Sequence, residues 1–386
     1  MVKKTNSKKS VKKPIKVSSE ASFIDWKIPA AFVAGILVTV LYFNIPTIMN
    51  NAAANTTTQT IPTLFIINDE NCALCDDAWV TTALSQEFNY TLERIDFSSS
   101  LGQELIDSMG ITSVPAVLLS SNFVNNSAYE GLSGYLVESG DYFMLKIQGV
   151  KDLTKQASST PKVDLFVMSQ CPYGTPAQKN MINLKKTVPG FQLNMYYIVD
   201  VQSKAEFDTS LAQFKAQYDS ICLNSELATS YSLTCAESEW QTYETDFVSK
   251  CELKSDNNYY CSLHGPAELN LDMVQLCAMN LSTNWGDFII SHIDSNFNTT
   301  LAANTAGINV TQLLNCANSS LGLDLLKRNI AVPNALSIGA SPTYIFDNVY
   351  SNPNADSATV LCTLHPTLTG CENTSTLEIA ESTGSC

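Results

Sequence analysis

The sequence predicts an α/β protein of two similar domains, the second carrying a large helical insertion, behind one N-terminal transmembrane helix. Three observations carry that prediction. An apolar run without a charged side chain, Ile28 to Met49, follows a lysine-rich start. A strand, a cysteine and a helical pattern succeed one another twice, once around Cys72 and again around Cys171. Each unit is followed by a proline that opens a β-rich run, at Pro115 and at Pro342.

Composition narrows the function classes. The 386 residues are 45% hydrophobic, too apolar for a disordered chain, and at roughly 150 residues per domain they provide for two domains. With 37 acidic against 22 basic residues the net charge is −15, which argues against nucleic acid as a partner because no basic surplus is there to displace counterions. Twelve cysteines are too sparse for a small disulfide scaffold and too many to be incidental thiols in a reducing compartment.

Residues 1–27 form a basic tail containing Lys3, Lys4, Lys8, Lys9, Lys12, Lys13 and Lys16, and 28–49 is the membrane-length segment. Pro29 suits a helix start and Pro46 an end, and the lysines on one flank place the N-terminus in the cytoplasm. The expected location is a single-pass cell-membrane protein, held in the bilayer by one helix, with its C-terminal domains extracytoplasmic. An uncleaved anchor is favoured over a cleaved signal, although Ala52-Ala53-Ala54 would suit a signal peptidase. Beyond residue 50 there are 14 basic and 35 acidic side chains, so the external part carries −21. The small polar residues of 50–61 read as a linker.

The first domain is placed at 62–150. Thr63 to Asn68 reads as a buried strand and is followed at once by Cys72-Ala73-Leu74-Cys75 and an amphipathic run through Trp79, Leu84 and Phe88. Leu92 to Phe97 reads as a second strand, Gln103 to Met109 as a short helix, and Val114-Pro115 leads into a third strand. Tyr142 to Ile147 closes the unit.

This order resembles the thioredoxin-like superfamily. A cysteine at a helix N-terminus faces unpaired N–H groups and the positive end of the dipole, which favours the thiolate that attacks disulfides. Cys72 is the expected nucleophile, and Cys75, one turn into the helix, the resolving thiol. The resemblance implies a cis Val114-Pro115 bond beside the cysteine pair, in contact with a substrate strand. Asp69, Glu70, Asp76 and Asp77 depart from it, because negative charge opposes thiolate formation. Structural zinc would need two further ligands, and this segment has no histidine and no third cysteine. An inert disulfide and a redox-active pair both stay open, the second favoured.

The polar stretch Lys151 to Pro161 reads as a boundary, and the same grammar restarts in a second domain at 161–375. Val163 to Ser169 is a strand, Cys171-Pro172-Tyr173-Gly174 follows, a helix spans Thr175 to Lys186, and Phe191 to Val199 is the next strand. A helix-rich insertion of about 204–336 separates these from Ser341-Pro342 and the strand after it, and 376–386 is a tail. This layout resembles the DsbA-like family and, more closely, the gamma-interferon-inducible lysosomal thiol reductase-like family. In the insertion, His264, Gly265, Glu268, Asn270 and Cys277 match a degenerate form of the thiol reductase signature, with Leu263 inserted and Leu269 where a cysteine is expected. The resemblance implies substrate contact at Ser341 and Pro342, as at Val114 and Pro115.

Gly174 stands where a resolving cysteine would be, so Cys171 is expected to act as a lone nucleophile whose mixed disulfide another thiol resolves. The structural alternative for Cys171 is a buried or paired cysteine. Cys222, Cys235, Cys251, Cys261, Cys277, Cys316, Cys362 and Cys371 are structural disulfide candidates. Short loops favour Cys222/Cys235, Cys251/Cys261 and Cys362/Cys371, then Cys277/Cys316, although spacing does not fix connectivity. Cys386 is then left over, like Cys171. His264 is expected to be a hydrogen-bonding residue and not a proton-transfer base. No metal site and no cofactor is expected. The reading is a thiol–disulfide oxidoreductase acting on cysteine-bearing protein substrates, served by a membrane or soluble thiol partner. The competing class is a non-catalytic polypeptide-binding module with structural disulfides only.

Overall fold

In the computed structural model the described residues are 61–352, 356–372 and 384–386. The predicted cytoplasmic tail, transmembrane segment and nearly all of the linker lie outside them. Among the described residues no helix is long and apolar enough to cross a membrane.

The first sheet is built around β1 (Thr63–Asn68), whose alternate side chains are buried on both faces. Leu64 and Ile66 pack with Val80 and Leu84 of α1 (Ala78–Glu87), whereas Ile67 packs with Leu105 of α2 (Ser100–Met109). A strand covered by a helix on each side has no solvent face, which is why its sequence is a continuous apolar run. β1 lies parallel to β2 (Thr91–Asp96) and antiparallel to β4 (Ala116–Ser120), and β6 (Tyr142–Leu145) and β5 (Leu136–Ser139) complete the order β2-β1-β4-β6-β5. α2 is capped at both ends, by Ser99 accepting from the Gly102 N–H and by Gly110 at φ 65°. Between β4 and β6 the chain forms the short helix α3 (Tyr129–Leu132).

The second sheet repeats the central pattern. β8 (Lys162–Val167) lies parallel to β9 (Gln192–Tyr197) and antiparallel to β13 (Thr343–Phe346), with α4 (Gly174–Thr187) crossing between the parallel pair. The sheet then continues through β14 (Tyr350–Ser351) to β7 (Lys151–Asp152) and β3 (Ser113–Val114), giving β3-β7-β14-β13-β8-β9. Lys151 and Asp152, expected to belong to a polar linker, therefore pair on one side with the loop before Pro115 and on the other with Tyr350. This mixed α/β arrangement agrees with the thioredoxin-like layout that the sequence resemblance implies.

Between β9 and β13 lie α5 (Lys204–Leu223), α6 (Ser225–Ser230), α7 (Glu237–Ser249), α8 (Pro266–Leu281), α9 (Trp285–Asp294), α10 (Thr299–Ala306), α11 (Val310–Ala317) and α12 (Ser320–Ala335). The segment is not wholly helical: β10 (Asp200–Ser203), β12 (Asn258–Cys261) and β11 (Cys251–Leu253) make a small antiparallel sheet. Tyr259 and Tyr260 favour the pleated conformation, and Asn257 at φ 65° turns the hairpin. α8 starts with Pro266 in its first turn and is buried along most of its length, joined by α9 to α12 in one core with β8 and β9. After the second sheet, α13 (Ser357–Leu364) packs on the same core.

The eight cysteines expected to be structural form four disulfides. Cys222–Cys235 fastens the end of α5 to the loop before α7, and Cys251–Cys261 joins directly opposed residues of β11 and β12. Cys277–Cys316 ties α8 to α11, and Cys362–Cys371 ties α13 to the turn that follows it.

Candidate active site: two cysteine centres

Cys72 and Cys75 form a disulfide in the loop between β1 and α1. Backbone turns define that loop: the Cys72 N–H donates to Asp69 O at 3.0 Å, and the Cys75 N–H to Cys72 O at 3.2 Å. Asn68 Nδ2 donates to Cys75 O at 2.7 Å and ties the loop to the strand end. Cys75 is only 4% exposed, whereas Cys72 is partly open.

The helix does not begin at Cys72. α1 starts at Ala78, so both cysteines precede it and Cys75 is not one turn inside. Asp76 Oδ1 accepts the Ala78 N–H at 2.9 Å, and Asp77 is the N-cap residue, turned toward Arg94 at 2.9 Å. These two aspartates stop the helix from extending back toward the pair. Dipole stabilisation fades within the first turn, so it gives little support to a Cys72 thiolate. The acidic surroundings are also partly neutralised. Asp69 is buried against Lys151, which also stands 5.1 Å from the centre of the Phe97 ring, and Asp77 is held by Arg94.

The Val114–Pro115 peptide is cis, and Val114 shares a small core with Cys75, Ile67 and Ile111. Val114 is fully buried and pairs with Lys151, while the Leu153 N–H donates to Thr112 O at 2.8 Å. The edge that the resemblance assigns to a substrate strand is thus covered by the chain's own β7. Leu74, between the two cysteines, packs against the core of the second sheet.

Cys171 occupies the corresponding loop between β8 and α4 and is wholly buried. Its N–H donates to Met168 O at 3.1 Å and its carbonyl accepts from the Thr175 N–H at 3.0 Å, placing it just before α4. The Ser341–Pro342 peptide is cis, Ser341 Oγ accepts the Met168 N–H at 2.8 Å, and Cys171 Sγ lies 3.4 Å from Ser341 O. Neither Cys171 nor Cys386 is left over: they form a disulfide with each other across 215 residues of sequence. No sequence signal pairs them, because the contact depends on Cys386 meeting the backbone of Ser341.

The inserted α8 backs this loop. Glu268, fully buried, accepts the Gln170 N–H at 2.6 Å, accepts the Ser262 hydroxyl, and lies 3.0 Å from His264 Nδ1. One turn on, Asp272 is buried with neither carboxyl oxygen matched by a close donor. Burial first, and then the charge of Glu268, push the Asp272 carboxyl well above the usual carboxylate range. Sequence reasoning matched His264 and Glu268 to a signature but missed that Glu268 supports the residue before Cys171. Glu268 and Asp272, four apart on α8, share one helix face, and His264, just before the Gly265 N-cap, reaches Glu268 from outside the helix. A surface hollow of about 520 Å³, lined by Gln170, His264, Ala267, Leu271, Asn296 and Phe297, lies beside this network.

Among the described residues no three His, Cys, Asp or Glu side chains converge as a metal site. No family model and no curated protein matches the chain. Among solved structures it is similar to one described as "a putative protein disulfide isomerase" from Nitrosomonas europaea, at 9% identity over 54% of this chain and 97% of that one, TM-score 0.31. A second is described as "probable DsbA oxidoreductase" from Streptomyces coelicolor, at 13% identity over 53% and 88%, TM-score 0.29. A third, "a putative protein-disulfide isomerase" from Pseudomonas syringae, is 9% identical over 53% and 93%, TM-score 0.28.

Proposed function

We propose that this chain is a membrane-anchored thiol–disulfide oxidoreductase acting outside the cytoplasm on disulfides of secreted or surface proteins. Cys72/Cys75 is its dithiol and Cys171 a second nucleophile. The observation that carries the reading is the repeated placement of a disulfide-bonded cysteine after a central parallel strand, beside the loop before an antiparallel one. In one direction the Cys72 thiolate attacks a substrate disulfide, forming a mixed disulfide and releasing one substrate thiolate. Cys75 then attacks Cys72, freeing the second substrate thiolate and closing Cys72–Cys75. Run backwards, the same steps oxidise a substrate dithiol. No nucleotide-binding motif is apparent in the sequence, so electrons are exchanged with a membrane or soluble thiol partner.

A Cys72→Ala, Cys171→Ala double variant tests this against a scrambled disulfide substrate. Loss of reshuffling is expected, and full retained activity overturns the reading. The anchor at 28–49 is tested by protease protection in intact cells, which should leave the residues before 28 shielded. A second reading, a polypeptide-holding module without turnover, is favoured by the burial of Cys75 and Cys171. Trapping distinguishes the two: a holding module accumulates no mixed disulfide.

A further inference from the structure

We propose that Cys386 is the resolving thiol of Cys171, standing in for the cysteine that position 174 lacks. This rests on the reading of Cys171 as a nucleophile and extends it. Three independent features converge. Cys386 is bonded to Cys171. Its backbone is also paired: the Cys386 N–H donates to Ser341 O at 2.9 Å and the Ser341 N–H donates to Cys386 O at 3.2 Å. Two residues that exchange both bonds form the narrow unit of an antiparallel ladder, so Cys386 sits in the register of a strand beside the loop before Pro342.

The third feature is the space at Gly174. A Cβ there would stand 2.6 Å from Ser341 Oγ, 2.8 Å from Met168 O and 3.3 Å from Cys171 Cβ. The local resolving position is therefore filled by Ser341, and the second sulfur arrives from the other side of the loop. Gly384 lies so close to Tyr173 that a Cβ on it would be 2.4 Å from the ring, so the incoming segment rests on the residue next to Gly174. In this closed form Cys171 is wholly buried and Cys386 partly exposed. The Cys386 segment occupies the Ser341 backbone groups that the family resemblance assigns to a substrate strand.

The chemistry balances without a cofactor. The Cys171 thiolate attacks one sulfur of a substrate disulfide; the Cys171–substrate bond forms, the substrate S–S bond breaks and one substrate thiolate leaves. The Cys386 thiolate then attacks Cys171 Sγ, forming Cys171–Cys386 and releasing the second substrate thiolate. The substrate gains two electrons and the cysteine pair loses two. A dithiol reductant resets the pair and reopens the edge at Ser341.

The test uses the full chain in a Cys72→Ala, Cys75→Ala background, equilibrated in a buffer of reduced and oxidised glutathione, then alkylated and peptide-mapped. With Cys386 present, an intramolecular thiol competes with glutathione, and Cys171 should be recovered linked to Cys386. Cys386→Ser should raise the glutathionylated fraction of Cys171 by at least about tenfold. Cys386→Ala repeats the measurement, and the four structural disulfides in the map report that each variant is folded. Equal adduct with and without Cys386 overturns the proposal while leaving Cys171 a nucleophile. No adduct in any variant overturns the nucleophile reading and this proposal with it.

Discussion

Gly174 and Ser341 are in such close approach that a Cβ on the glycine would lie 2.6 Å from the serine hydroxyl oxygen. That hydroxyl is already committed, accepting the Met168 N–H at 2.8 Å. Restoring the missing cysteine by Gly174→Cys should therefore not produce a working local pair. Displacing Ser341 and pressing on Met168 O is overpacking of a filled site, with an expected cost of about 1–3 kcal/mol. Thermal unfolding should show a lowered midpoint, and Ser341→Ala in the same chain should recover part of it. Peptide mapping should still find Cys171 joined to Cys386.

Under the proposed function, the unequal exposure of Cys72 and Cys75 sets the expected order of events at the first centre. Cys75 is 4% exposed and its carbonyl is held by Asn68, so an incoming sulfur meets Cys72 first. Cys75→Ser should accumulate a stable adduct at Cys72 when treated with oxidised glutathione. Cys72→Ser should leave Cys75 labelled at least about tenfold more slowly, because access limits thiol exchange. Intact-mass time courses of the two variants check this, and equal rates would contradict the assignment of Cys72 as nucleophile.

Lys151 ties the two sheets electrostatically as well as through β7. Its partner Asp69 is buried next to the Cys72 turn, accepting the Asn71 N–H at 2.9 Å. Lys151→Met leaves that carboxylate desolvated without its cation and should cost about 2 kcal/mol, less than a fully buried pair because Lys151 keeps some solvent contact. Asp69→Asn in the same chain should restore part of the loss, since it removes the stranded charge. A double-mutant cycle in urea measures the coupling.

The sequence made the central strands legible because they are buried on both faces. Thr63–Asn68 contains the apolar run Leu64–Ile67, and Lys162–Val167 contains Val163 and the run Leu165–Val167; after each a cysteine and a helix follow at once. Short elements escaped. β3 and β7 are two residues each, with no periodicity to detect, yet they join the first cysteine centre to the second sheet. The expectation that the helix starts at Cys72 came from the resemblance; α1 starts at Ala78, where Asp76 accepts the Ala78 N–H and Asp77 is held by Arg94, a partner distant in sequence. Cys386 could not be placed because its partner is chosen by tertiary packing around Ser341, and loop length carries no such information.

His292 gives the fold a pH dependence with a definite sign. It is wholly buried beside Phe288 and Phe297; Nε2–H donates to Phe297 O at 3.1 Å, and Nδ1 has no close partner. Burial, only partly opposed by that carbonyl, pulls the imidazole from 6.5 down to about 4. The unfolded chain therefore binds a proton that the folded chain refuses in this window. The contribution is fully present above pH 6.5 and is lost progressively as pH falls toward about 4, reaching about 3 kcal/mol. His292→Gln keeps a side-chain N–H donor but does not titrate, so its stability should fall less steeply over the same range. Urea unfolding of both proteins at intervals through that window measures the difference; parallel curves would mean that His292 is protonated as readily in the folded chain as in the unfolded one.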